Sequence, residues 1–263
     1  MTVLKSDIAE IYRSSWAFML ACPLFFAIPM LVEFAQHVVE LDAGMYIDRA
    51  SSSVAGQDPL RLQLGFLKTV AVLLPGYWFT RYIMFDHDTA KATRCEWPAV
   101  GLWFTIFALN VALTAWSMFG RSLGELAGLE GQTAQIASAV VGIPFQVIGI
   151  YLTAWGVAWA LGNVRVGPIR SIGIMHGSFW YTIALTVAGI VPLMALHYGF
   201  GYAAILWLPA PLDWVAMILD SVLVGLLALT MAGSGAIAAR HAGQRKSISL
   251  LPDRPTDPAA LAA

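Results

Sequence analysis

Residues 214–239, WVAMILDSVLVGLLALTMAGSGAIAA, decide the fold of this chain, because this long and mostly apolar run carries a single charge, Asp220. At a rise of about 1.5 Å per residue, some 20 residues cross the hydrocarbon core of a bilayer, which is about 30 Å thick. Five further stretches approach or exceed that length. The sequence therefore predicts an all-α fold, a polytopic transmembrane helical bundle of six spans at residues 16–32, 62–82, 99–119, 134–161, 178–197 and 214–239.

The composition agrees with a membrane protein. Charged residues make up 12% of the chain, against about 25% in a typical soluble domain. Six spans leave too little chain for a separate soluble core, so residues 1–245 are predicted to form a single integral membrane domain. The acidic segment 33–61 is interpreted as a solvated outer loop, and 198–213 as an interfacial or re-entrant piece. Residues 246–263, rich in proline and alanine, are predicted to form a disordered cytoplasmic tail.

Basic residues are distributed unequally between the two sides of the predicted bundle. If the N-terminus is cytoplasmic, that side carries eleven of them and the other side three, while Lys68 lies inside a span. The positive-inside rule then places both termini in the cytoplasm, as expected for a multi-pass protein of the bacterial inner membrane. The eleven are Lys5, Arg13, Arg81, Lys91, Arg94, Arg165, Arg170, Arg240, Arg245, Lys246 and Arg254; the three are Arg49, Arg61 and Arg121.

The N-terminal residues 2–13 have the spacing of an amphipathic helix. Leu4, Ile8 and Ile11 share one face, whereas acidic and basic side chains occupy the other. We expect this helix to lie in the inner interface of the membrane; the alternative is that it simply extends the first span. A weak repeat of a basic residue and a tryptophan before alternate spans suggests three helical hairpins, although interfacial tryptophans alone would explain it.

Two charges lie inside predicted spans and are the first candidates for function. Lys68 and Asp220 each lie about six residues from the outer end of a span, so they should be at matching depth. A charge at the bilayer centre costs about 2.5–3.5 kcal/mol on insertion scales, which pairing would offset. The sequence therefore predicts that Lys68 and Asp220 face each other. The pair could form an ion or proton relay, or could be structural.

Other polar residues suggest weaker sites. Asn110 and Gln146, at mid-depth in the third and fourth spans, are predicted to form an interhelical amide hydrogen bond. Arg165 and Arg170 lie in a glycine-containing loop without acidic residues and could hold anionic lipid headgroups; the positive-inside bias would also account for them.

Catalytic and cofactor motifs are missing from the sequence. The five histidines show no metal-protease spacing, and no nucleophile elbow or glycine-rich phosphate loop occurs. We therefore expect no enzymatic activity, cofactor or metal. The expected partners are the lipid bilayer, anionic headgroups, and a second copy or another membrane protein, with no nucleic acid.

Several of these features resemble the YciC-like and DUF975-like families of uncharacterised bacterial inner-membrane proteins. The resemblance covers the whole chain and rests on Arg13, Trp16, Gly167, Pro168, Arg170 and Trp180. It implies an inner-membrane protein and carries over no activity and no site residue. The leading hypothesis is a structural or accessory protein of the cell envelope or of lipid homeostasis. The alternative is a transporter of small solutes or lipids that uses Lys68 and Asp220, and a membrane-embedded enzyme ranks third.

Overall fold

A computed structural model describes residues 2–252, and all regular secondary structure in this range is helical. Its helices are α1 (Thr2–Ala21), α2 (Pro23–Asp42), α3 (Arg49–Ala55), α4 (Pro59–Leu73), α5 (Gly76–Met84), α6 (Thr89–Thr93), α7 (Trp97–Phe119), α8 (Leu123–Leu126), α9 (Gly131–Ala160), α10 (Pro168–Met175), α11 (Phe179–Leu206) and α12 (Ala210–Arg245).

Six helical segments in the described range are long and apolar enough to cross a membrane. They are α2, α4 together with α5 (Pro59–Met84), α7, α9, α11 and α12. The predicted all-α bundle of six spans is therefore confirmed. Consecutive spans pack against each other as α2 with α4, α7 with α9 and α11 with α12, as the three-hairpin interpretation predicts.

The first span begins at Pro23 rather than at residue 16. Cys22 has φ −133° and ψ 58°, which is outside the helical region. Pro23 has no N–H with which to continue α1, and proline is favoured in the first turn of a new helix. The N-terminal helix is thus distinct from the first span, but it extends to Ala21 instead of ending at residue 13. Its Ile11 and Phe18 are fully buried in a core cluster shared with α5 and α12.

Two segments predicted as loops are largely helical. Helix α2 continues to Asp42, so the first part of 33–61 is not a solvated loop. At the other hairpin, α11 continues to Leu206 and α12 begins at Ala210. Residues 198–213 therefore form the ends of two long helices and the turn between them, and no re-entrant piece occurs there.

Helix α12 lies at the centre of the bundle, where it contacts α1, α2, α5, α9 and α11. Small residues on α12 allow this close packing. At Gly225, for instance, an added Cβ would lie 2.6 Å from the Phe26 ring of α2. Because α12 contacts most other spans, a side chain on it can meet residues from several helices at once.

The two ends of the described chain meet at one end of the bundle, here called the basic end. Glu10 of α1 accepts a 2.6 Å hydrogen bond from Arg240 of α12, and the Asp7 carboxylate accepts one from the hydroxyl of Tyr181. Arg81 is completely buried there and donates to the carbonyl oxygens of Ala160 and Lys91. The opposite end carries α3, α8 and the turn between α11 and α12.

The start of the predicted tail, residues 246–252, contacts the bundle. Leu250 is buried in a cluster with Val166. The side-chain amide of Asn163 donates to the carbonyl oxygens of Leu250 and Leu251 at 3.2 and 3.1 Å. This segment therefore docks on the loop between α9 and α10; the rest of the predicted tail, 253–263, lies outside the described residues.

Candidate functional site

Three ionisable side chains of α2 share one buried face. Glu33, His37 and Glu40 are spaced four and three residues apart, which places them on the same side of a helix. Each is at most 4% exposed. Glu33 and Glu40, which belong to the segment interpreted as a solvated loop, are thus inside the bundle and face α4, α11 and α12.

Lys68 and Asp220 both reach this face, but they do not pair directly. The Lys68 ammonium lies 3.1 Å from Glu33 Oε2, whereas the Asp220 carboxylate pairs with His37 and His197. The prediction that Lys68 and Asp220 pair with each other is therefore wrong, although both residues lie in one site. Matching depth alone does not fix the partners, and Glu33 lies just beyond the predicted end of the first span at residue 32.

His37 bridges carboxylates on both sides of its ring. Its Nδ1 lies 2.9 Å from Glu40 Oε2, and its Nε2 lies 2.9 Å from Asp220 Oδ2 and 3.3 Å from Glu33 Oε1. A neutral imidazole has one donor and one acceptor nitrogen, so it cannot donate to both sides. The ring therefore lies where additional positive charge is favoured.

Glu40 is fixed by a surrounding set of donors. Tyr46 donates from its hydroxyl at 2.5 Å, Gln36 from its amide at 2.7 Å and Arg61 from Nε at 2.9 Å. Burial, and after it the neighbouring Glu40 carboxylate, raise the pKa of the Tyr46 phenol. The phenol consequently stays protonated and acts as a donor, which holds Glu40 in position against His37.

His197 of α11 completes the site on the side opposite Glu40. Its Nδ1 lies 2.8 and 2.9 Å from the two oxygens of Asp220. We call the set of Glu33, His37, Glu40, Arg61, Lys68, His197 and Asp220 the charged cluster. Its members come from four of the six spans, α2, α4, α11 and α12.

A cavity of about 250 Å³ adjoins the charged cluster, and we call it the polar cleft. The side chains of Lys68 and Arg61 are 22% and 24% exposed, so they lie where the cleft opens. Tyr198 and Tyr202 of α11 line its remaining wall. With neutral histidines, three carboxylates face two fixed cations, and the cluster is left with an excess of one negative charge. Buried charges are normally paired, so this excess is balanced either by a second proton on His37, which lies between two carboxylates, or by an additional cation.

One buried polar atom in the cleft has no hydrogen-bond partner. It is Oε1 of Gln36, a residue that is 3% exposed and lines the polar cleft. A buried polar atom without a partner is costly, so it is a position at which a ligand could bind.

The cluster also has the composition of a metal site. One ligand atom each from Glu33, His197 and Asp220 lie within 4.8 Å of one another. Carboxylate oxygens and imidazole nitrogens are common ligands of divalent transition metals. These three residues, with His37 beside them, could hold a cation.

The other predicted polar site did not form as expected. Asn110 donates from Nδ2 to the carbonyl of Ile106 in its own helix, at 2.9 Å. Asn110 and Gln146 are both exposed, and no hydrogen bond joins their amides. They line a separate cavity of about 490 Å³ between α7 and α9, because these two helices leave a gap where the amides were predicted to meet.

Arg165 and Arg170 are both exposed and lie close to the basic end. Arg165 is in the turn before α10, and Arg170 is in the first part of α10. Arg170 donates to the carbonyl oxygen of Arg165 at 3.4 Å. Contact with anionic lipid headgroups stays a prediction for these two residues.

Sequence reasoning missed most of the charged cluster. The histidines show no motif spacing in the sequence, and Glu33 and Glu40 fall in the segment interpreted as a solvated outer loop. A signal was present, since Glu33, His37 and Glu40 keep helical spacing beyond residue 32. Extending the first span by ten residues would have placed all three on one buried face.

No protein-family model, no curated protein and no solved structure matches this chain. The proposed resemblance to the YciC-like and DUF975-like families therefore stays a prediction. Its function has to be argued from the geometry of its own site.

Proposed function

We propose that this integral membrane protein is a transporter whose charged cluster forms the binding site for the transported species. The observation that carries the proposal is the convergence of seven ionisable side chains from four spans on the polar cleft. Ionisable residues within membrane spans are costly and mark pathways for ions or substrates. A packing role alone would require far fewer of them.

The shape of the site supports the same proposal. The cleft volume of about 250 Å³ is enough for an ion with its water or for a small polar solute. It contains charges of both signs and the unpartnered Oε1 of Gln36, which suits a hydrophilic ligand.

The test is flux through the purified full-length protein in proteoliposomes. A panel of protons, monovalent cations, divalent metal ions, amino acids and small organic anions is applied on a solid-supported membrane. We expect a saturable current for at least one member, lost in Asp220→Asn. Asp213→Asn is the matched control, because Asp213 is a buried carboxylate on the same helix that does not line the cleft. No flux from a folded protein, or equal flux in Asp220→Asn, would contradict the proposal.

A structural or accessory role is the second candidate. The observation that favours it is that the charges in the cluster are paired with one another, which could serve only to hold α2, α4, α11 and α12 together. The reversed pair Glu33→Lys with Lys68→Glu separates the two functions. If the double variant regains the free energy of unfolding lost in the single variants and the cellular function is unchanged, the structural role is favoured. If it regains that free energy but shows no flux, transport is favoured.

For its location we propose the bacterial inner membrane, with both termini in the cytoplasm. Eleven basic residues against three support this orientation, and the contact between Glu10 and Arg240 supports helices α1 and α12 sharing one side. A reporter fused after residue 263 should be cytoplasmic, and one inserted near Ser52 external. Finding both reporters on the same side would contradict this topology.

A further inference from the structure

The ligand atoms at the centre of the charged cluster have the separations of a metal coordination sphere. His197 Nδ1 lies 2.8 Å and His37 Nε2 2.9 Å from Asp220 Oδ2, and His37 Nε2 lies 3.3 Å from Glu33 Oε1. Bonds of about 2.0–2.1 Å at tetrahedral angles place neighbouring zinc ligands about 3.3 Å apart. The three observed separations are within about 0.5 Å of this value, and one ligand atom each from Glu33, His197 and Asp220 lie within 4.8 Å of one another.

The groups behind these ligands resemble the supports of protein metal sites. A metal-bound histidine usually donates its second N–H to a carboxylate, which fixes the ring and raises its basicity. His37 has this arrangement, because its Nδ1 lies 2.9 Å from Glu40 Oε2 while its Nε2 faces Asp220 and Glu33. Glu40 is in turn held by Tyr46, Gln36 and Arg61, so the ring is oriented before any ligand arrives.

Independent observations point to a missing positive ligand. The cluster holds one more carboxylate than the fixed cations Arg61 and Lys68, and Oε1 of the buried Gln36 has no hydrogen-bond partner. Gln36 lines the polar cleft beside the four convergent groups. A bound cation would balance the charge, and one of its water ligands would offer a donor to the Gln36 oxygen.

We propose that the polar cleft binds one divalent first-row transition-metal ion through Glu33, His37, His197 and Asp220. Two imidazoles and two carboxylates form a ligand set suited to Zn²⁺, Fe²⁺ or Mn²⁺. This proposal names the class of ligand that the proposed transport site would bind. Movement of the ion across the membrane rests on the proposed transport function, whereas binding of the ion is measured separately.

The first test is Zn²⁺ binding to the purified full-length protein after chelator treatment, measured by calorimetry in detergent. We expect one ion per chain and at least a tenfold loss of affinity in His197→Gln and in Asp220→Asn. Glu40→Gln should lose about 10- to 100-fold, since it removes the carboxylate that orients His37 and one negative charge of the cluster. His241→Gln and Asp213→Asn are the matched controls and should bind normally, because neither residue lines the cleft.

Lys68 provides a variant with the opposite expected sign. Its ammonium lies 3.1 Å from Glu33 Oε2 and repels an incoming cation. Lys68→Gln should therefore bind Zn²⁺ at least several-fold more tightly than the wild type. A purely structural cluster would lose a salt bridge in this variant and gain no metal affinity.

A measurement on the wild type keeps the proposal testable if variants fail to fold. X-ray absorption of the protein loaded with Zn²⁺ should show two imidazole ligands and oxygen ligands, and Co²⁺ should give visible ligand-field bands. No binding by the folded wild type, a first shell without imidazole, or normal binding by folded Asp220→Asn would each overturn the metal site. Solute flux without Zn²⁺ binding would overturn this inference alone, and Zn²⁺ binding without any flux would overturn the transport proposal alone.

Discussion

Helices α12 and α9 are both long and apolar, yet they occupy opposite situations in the bundle. In the most apolar 18-residue window of α12, 56% of the residues are buried within the protein, whereas in the corresponding window of α9 none is buried. Helix α12 has close approaches at Gly225 and Gly233, whereas an added Cβ at Gly149 of α9 would meet nothing within 4 Å. Hydropathy therefore identifies a span, but the surface available for packing decides whether that span faces protein or lipid.

The same contrast explains where the charges lie. The charged cluster is built on the tightly packed side, where α12 brings Asp220 against residues of α2 and α11. The polar residues of the α7–α9 side, Asn110 and Gln146, remain exposed and do not bond to each other. Buried charges need several precisely placed partners, and only closely packed helices can supply them.

The largest effect is expected from removing a carboxylate at the centre of the packed side. Asp220→Ala would leave both His37 and His197 without their shared partner. Breaking a buried ion pair by removing one member typically costs about 3–5 kcal/mol of unfolding free energy. The measurement is SDS titration in mixed micelles followed by tryptophan fluorescence. A loss below about 1 kcal/mol would mean that the cluster is more hydrated than its burial indicates.

A glycine pair tests the packing contrast with a smaller expected effect. Gly225→Ala would place a methyl group 2.6 Å from the Phe26 ring, and such overpacking costs about 1–3 kcal/mol. Gly149→Ala on α9 is the matched control, because its Cβ would enter open space and alanine is the better helix former. The same titration should show destabilisation only for Gly225→Ala. Equal responses at the two positions would show that α9 is packed as closely as α12.

The smallest effect is expected on the loosely packed side. Asn110→Leu and Gln146→Leu should each change the free energy of unfolding by less than about 0.5 kcal/mol, since both side chains are exposed and form no bond to each other. The double variant should show additive changes. A coupling energy above about 0.5 kcal/mol would indicate that α7 and α9 close together in the membrane and form the predicted amide bond.

The sequence by itself determined the class of the protein and the number of its spans. A run of apolar residues such as 214–239 is helical in a bilayer, because its backbone polar groups must be bonded within the protein and it lacks the alternating polarity of a barrel strand. The sequence also identified Lys68 and Asp220 as charges inside spans, because neighbouring residues in the same span cannot remove the free-energy cost of placing a charge in the bilayer. These are properties of single segments, so they could be found without knowing any contact.

Only the tertiary structure decided how these segments combine into a site. It extended α2 beyond residue 32, which moved Glu33, His37 and Glu40 from a supposed loop into the core. It also gave Lys68 and Asp220 different partners. Residues separated by up to 183 positions, as His37 and Asp220 are, meet only after helices have chosen which faces to bury. That choice depends on side-chain shape across several helices, which local composition does not record.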